Sequence, residues 1–187
     1  MRVFFGAVVG AIVVFVWGWV AWAGIDLYGF AIKGMPNEEI AVPALQANLP
    51  ESGAYYFPAM PGDMKDKAAM DAYAAKHQAG PIGMVLFRKQ GAPPMHWSVM
   101  ARGYAMYLAA ALVMAAMMNA LRLKTTAFRL GFVMLMAGFA ALITHGSNWN
   151  WMMFPDNYTI AMVADTMIAW TLGGGVIAMI VRTPASA

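Results

Sequence analysis

Asp165 lies in an otherwise uncharged apolar run from Tyr158 to Val181. A helix rising 1.5 Å per residue places it about 10 Å below the membrane surface. A carboxylate at that depth costs a few kcal/mol unless it faces protein, pairs or stays protonated. Ala161, Asp165, Ala169 and Gly173 recur every four residues, so the acid stands in a stripe of small residues that lets another helix come close. Two roles follow. One is a proton or ion site, and the other is an interhelical hydrogen bond to His145, Asn148 or Arg102.

The segment His145-Gly146-Ser147-Asn148-Trp149-Asn150-Trp151 joins this run to the preceding one. Its histidine and asparagines, with Asp156, make a poor transition-metal set, because asparagine is a weak ligand and no second histidine follows at i+3 or i+4. They suit the closing of a helical hairpin, with Trp149 and Trp151 at headgroup level. His96 precedes Trp97 at the head of another apolar run. Imidazoles at His96 and His145 could together ligate a haem, or one of them a bacteriochlorophyll magnesium, and no further motif calls for a cofactor. Gly6 and Gly10 form a Gly-x-x-x-Gly face, which either a neighbouring helix or a partner subunit would satisfy.

These residues need elements to hold them, and the composition says where those elements are. The 187-residue chain is 61% hydrophobic and 11% charged, far from the roughly 45–50% and 25% of soluble domains. Lipid is the solvent that tolerates such a sequence. Four runs approach the ~20 residues that cross a bilayer: Val3–Gly24, Gly103–Leu121, Leu130–Thr144 and Tyr158–Val181. The third is short, and its helix is expected to begin near Thr125 with Arg129 snorkelling to the headgroups. The first carries Ala21-Trp22-Ala23, a cleavage-like motif, but exceeds the 7–15 residues of a signal-peptide core. It is expected to be a retained signal anchor over residues 1–24.

Arg2, Arg122, Lys124, Arg129 and Arg182 fall on one side of the spans. The positive-inside rule makes that side cytoplasmic. Both termini then face the cytoplasm of a bacterial inner membrane, and residues 25–100 are periplasmic. This insert, with seven acids and six basic residues, is expected to be a small α+β unit. Its regular pieces are a helix from Asn37 or Pro43, a strand Gly53–Phe57, a helix capped by Asp63 and running through His77, and a strand Ile82–Arg88. Asp71, Lys76 and His77 read as a solvated helix face. Residues 101–187 hold the other spans. The fold class is thus all-α transmembrane, a four-helix bundle with an α+β insert.

There is no basic stripe, so no nucleic-acid partner is expected. With no cysteine, disulfides and thiol chemistry are excluded. The 19 methionines read as packing residues, because in sequence no methionine cluster is joined by histidine. Walker A, His-Glu-x-x-His and Gly-x-Ser-x-Gly motifs are all lacking, and no enzyme is expected.

The stretch His145…Asn148-Trp149-Asn150-Trp151…Phe154…Tyr158-Thr159…Asp165…Ala169-Trp170…Gly173, with Phe15-Val16-Trp17-Gly18 and Gly80-Pro81, resembles a group of bacterial four-span inner-membrane proteins of no assigned activity. The resemblance implies the topology and the membrane, not a reaction. The functional expectation is a non-catalytic accessory or scaffolding subunit. Its partners would be lipid and other integral membrane subunits, by analogy those of photosynthetic or respiratory complexes. An ordered polar tail, Thr183–Ala187, would fit pinning by such neighbours. The alternatives are a small proton-coupled transporter working through Asp165, and a tetrapyrrole carrier using His96 and His145.

Overall fold

The computed structural model describes residues 1–181; Arg182 of the charge argument and the tail 183–187 lie outside the described residues. Seven α-helices and two strands occur in the order α1 (Arg2–Trp19), α2 (Glu38–Asn48), β1 (Gly53–Phe57), α3 (Lys67–Ala79), β2 (Gly83–Phe87), α4 (Trp97–Ala120), α5 (Thr126–Ala141), α6 (Ser147–Trp151) and α7 (Asp156–Ile180). Helix α1 continues into a π-helical turn, Val20–Gly24, and α5 into another, Leu142–Gly146. Among the described residues four helical stretches are long and apolar enough to span a membrane: Arg2–Gly24, Trp97–Ala120, Thr126–Trp151 and Asp156–Ile180. The chain is a multi-pass membrane protein of mostly helical structure with one small sheet.

Two compact units divide it. The first comprises residues 1–32, 94–147 and 156 onward; the second comprises 33–93 and 148–155. In the first unit the burial pattern is inverted relative to a soluble protein. Its fully buried residues are mostly alanines (Ala7, Ala11, Ala111, Ala115, Ala178), whereas Leu135, Phe139 and Leu142 are exposed. Water would penalise that arrangement. Lipid does not, and small interior residues let helices approach through van der Waals contact.

The closest approach is between α1 and α7, which run antiparallel. Gly6 faces Val181 and Ile180, Gly10 faces Gly173 and Ile177, and Val14 faces Gly173. A Cβ placed on Gly10 would come 2.9 Å from the Gly173 carbonyl oxygen, and one on Gly173 would come 2.9 Å from that of Gly10. The two backbones therefore touch, and only glycine fits on either side. The Gly-x-x-x-Gly face is satisfied within the chain. On its other side α7 packs on α5 and α4, where Gly174 meets Val133 and Met114. Helix α4 lies mainly against α1 and touches its sequence neighbour α5 only sparsely.

Two local expectations need correction. Arg129 does not snorkel outward: it is 4% exposed. Its Nη1 donates to the Leu123 carbonyl at 3.3 Å and its Nη2 to Thr126 Oγ1 at 3.1 Å. Because α5 starts at Thr126, with Thr125 accepting from Phe128 N, Arg129 is one turn in and reaches the α4–α5 connection. The second span begins at Trp97, earlier than Gly103, because His96 caps α4 by accepting from Ser98 N.

The second unit is thin. Strands β1 and β2 pair antiparallel with Gly53 opposite Phe87 and Phe57 opposite Gly83, within a residue of expectation. Helix α2 starts at Glu38 and runs through Pro43. Proline removes a single rung of the ladder, the one to Glu39, and the helix continues on an exposed segment. Helix α3 is capped by Asp66, which accepts from the amides of Ala68 and Ala69; Asp63 instead accepts from Lys65 N. Gly80, at φ +64, ends α3 in a conformation other residues resist. No described residue of 25–100 is fully buried, in line with the small core expected of so short an insert.

If the Gly10–Gly173 contact sets the α1–α7 distance, Gly10→Val overpacks it and costs about 1–3 kcal/mol. Gly18, whose Cβ would meet nothing within 4 Å, should accept alanine without loss. Thermal unfolding of both variants in detergent checks this; equal stabilities would refute the contact's role.

Candidate functional site

The α1–α7 seam that closes on glycine at one depth opens to polar groups two turns further along. Asp165 follows the small-residue stripe, with Ala161 and Ala169 buried on either side, so its carboxylate points at α1. Trp17, seven residues past Gly10, meets it: the indole Nε1 donates to Asp165 Oδ1 at 2.8 Å. The sequence expectation offered His145, Asn148 or Arg102 as partner, and the observed donor is none of them. The signal that would have found it is the shared register, since Gly6, Gly10, Val14 and Trp17 continue one face of α1 as Asp165 and Gly173 continue one face of α7.

Further groups surround the carboxylate. The chain leaving α1 brings Tyr28 against Asp165, whose side chain hydrogen bonds with the phenol. Burial first, then the Asp165 charge and that hydrogen bond, push the Tyr28 hydroxyl well above its ordinary 10.0. Tyr28 also packs on Trp22, with ring centroids 5.3 Å apart. Tyr107 of α4 and His145 of the second π-turn lie within electrostatic reach of Asp165. His145 Nε2 is 3.1 Å from Thr166 Oγ1. Four parts of the unit thus contribute to one half-buried cluster around Asp165: α1 with its following turn, α4, α7 and the π-turn after α5. The adjoining groove between α1 and α4, about 340 Å³, is apolar and lined by Phe15, Trp22, Met100 and Tyr107.

The other sequence candidates stand elsewhere. Arg102 is exposed on α4. His96 is exposed, its Nδ1 2.9 Å from Ser98 Oγ. Asn148 belongs to the second unit, where its carbonyl accepts from Met152 N at 3.0 Å and Phe154 N at 3.4 Å and turns the chain after α6. Asp71, expected on a solvated face, pairs there with Lys67 at 2.8 Å. Among the described residues no three His, Asp or Glu side chains gather. No protein-family model, curated protein or solved structure matches the chain, so the resemblance drawn above rests on its quoted residues.

Chemically, the cluster holds one carboxylate with an indole and a phenol as donors, and an imidazole nearby. Such a set can fix two helices, or hold and pass a proton. A double-mutant cycle of Trp17→Phe and Asp165→Asn should return a coupling of about 0.6–1.7 kcal/mol, the range of interhelical hydrogen bonds in membranes. A coupling of zero would remove the clasp. For Tyr28 the folded value lies above 10.0, so its contribution is complete below pH 10 and is lost as pH rises toward the folded value. Ultraviolet titration should show a late-ionising phenol that is absent in Tyr28→Phe.

Proposed function

We propose that this protein is a non-catalytic accessory subunit that fills space beside a larger complex in a bacterial inner membrane. Photosynthetic and respiratory assemblies are the class of partner. One observation carries the reading: the flank between α4 and α5 is left open. Where those consecutive helices part, a cleft of about 280 Å³ is walled by Ala110, Ala137 and Ala140 and floored by Met114, Met136 and Trp170. Apolar area alone does not draw helices together in lipid, but a small-residue groove admits a helix closely enough for dispersion contact, and methionines adapt to its side chains. The Gly6–Gly10 face of α1 and the Gly173 face of α7 are not open in this way, since the two helices use them on each other.

The chain has no native cysteine, which makes the test clean. Ala140→Cys carrying a photocrosslinker should capture one integral membrane protein in native membranes, while Leu135→Cys, on the exposed face of α5, should not. Crosslinks to lipid alone, or a monodisperse monomer after gentle solubilisation, would overturn the proposal. In this frame both termini are cytoplasmic and the insert is periplasmic, which tags at Lys65 and Lys124 on opposite faces of sealed vesicles would bear out.

A second reading has its own support. Tyr28, Tyr107, His145 and Thr166 around Asp165 supply the additional polar groups that a proton path requires. It predicts that Asp165→Asn abolishes flux in proteoliposomes while leaving the fold intact. Loss of folding without a specific loss of flux would return Asp165 to a structural role. A tetrapyrrole on His96 or His145 would declare itself in the visible absorption of the purified protein.

A further inference from the structure

Within the second unit a cavity of about 540 Å³ is lined by four residues that carry soft donors: Met60, Met152 and Met153 with their thioethers and His77 with its imidazole. They come from three separate pieces of chain, the β1–α3 connection, the last turn of α3 and the turn after α6, all within one compact unit. We propose that this cavity is a Cu(I) site, with the three methionine sulfurs and the His77 ring nitrogen as ligands.

The donor chemistry selects the ion. No carboxylate lines the cavity, which leaves Ca²⁺ and Mg²⁺ without the oxygen donors they need. One imidazole without thiolate or carboxylate is too little for Zn²⁺. Thioether sulfur is a soft ligand that favours Cu(I), and a set of neutral donors suits a singly charged cation. The aromatic rings of Tyr73 and Trp151 also line the cavity; Tyr73 packs beside His77 with centroids 5.7 Å apart. Aromatic faces attract a cation, and they keep the surroundings apolar.

Packing does not account for these methionines. Met60 is 60% exposed, Met153 48% and Met152 39%, so their sulfurs do not fill a core. Met153 also holds φ +54, which is uncommon for a long side chain. That turn places consecutive methionines, 152 and 153, on the rim of one cavity. Unbranched side chains with three rotatable bonds can close from the walls onto an ion.

The test uses the full-length protein in detergent, kept anaerobic, against the coloured Cu(I) complex of bicinchoninate. The wild type should withdraw a single equivalent of Cu(I). His77→Ala, and the combined Met60→Leu, Met152→Leu and Met153→Leu, should each weaken retention by at least the roughly 10–100-fold that even outer partners of a metal ligand control. Met134→Leu, on a spanning helix, should change nothing. X-ray absorption of the copper-loaded wild type should show sulfur neighbours with a nitrogen, and it decides the matter even if the triple variant fails to fold. A wild type that leaves the competitor fully loaded, a folded triple variant that binds as well as the wild type, or a copper spectrum without sulfur would each overturn the site.

Discussion

The backbone contact between Gly10 and Gly173 sets the geometry of the membrane unit. Two helices that touch through their carbonyl oxygens and bare Cα atoms have a fixed separation and register. In lipid this matters more than in water, because burying apolar side chains gives no net drive to associate and close fit must supply the attraction. Once the register is set, Val14 falls against Gly173 and Trp17 against Asp165. The polar cluster is a consequence of the glycine seam. A helix pair held this closely brings the indole nitrogen to 2.8 Å from the carboxylate.

The same seam explains what is left open. Helix α7 spends one face on α1 and another on α5, and α4 leans on α1. With the central helix so occupied, α4 and α5 part beside Trp170. The cluster around Asp165 and the cleft are therefore two outcomes of one packing order, and a protein with this layout can be both internally clasped and laterally incomplete.

The second unit follows different physics. It has no fully buried residue in the insert, and its two-stranded sheet would be marginal alone in water. The turn after α6 contributes residues 148–155 to the same compact unit, adding Trp151 and two methionines around Tyr56 and Tyr73. A unit so poor in core gains from anything that binds its folded form and not its unfolded chain. Residues that read as a headgroup anchor and a solvated helix face are in this way parts of one cavity wall.

By itself the sequence determined that four runs are apolar enough to span a membrane, though not where the second and third begin and end, and it determined both strands to within a residue, the start of α5 and the small-residue stripe of α7. Each is a local matter of hydropathy, propensity or a four-residue period, written into consecutive residues. Three things were decided only in the tertiary structure: that Gly10 meets Gly173, that Trp17 rather than His145, Asn148 or Arg102 binds Asp165, and that Met60 and His77 share a cavity with Met152 and Met153. Those pairs lie far apart along the chain. A periodic stripe shows that a face will be used but is silent on which of several equivalent faces it meets, and that choice is made by the fit of whole helices and loops.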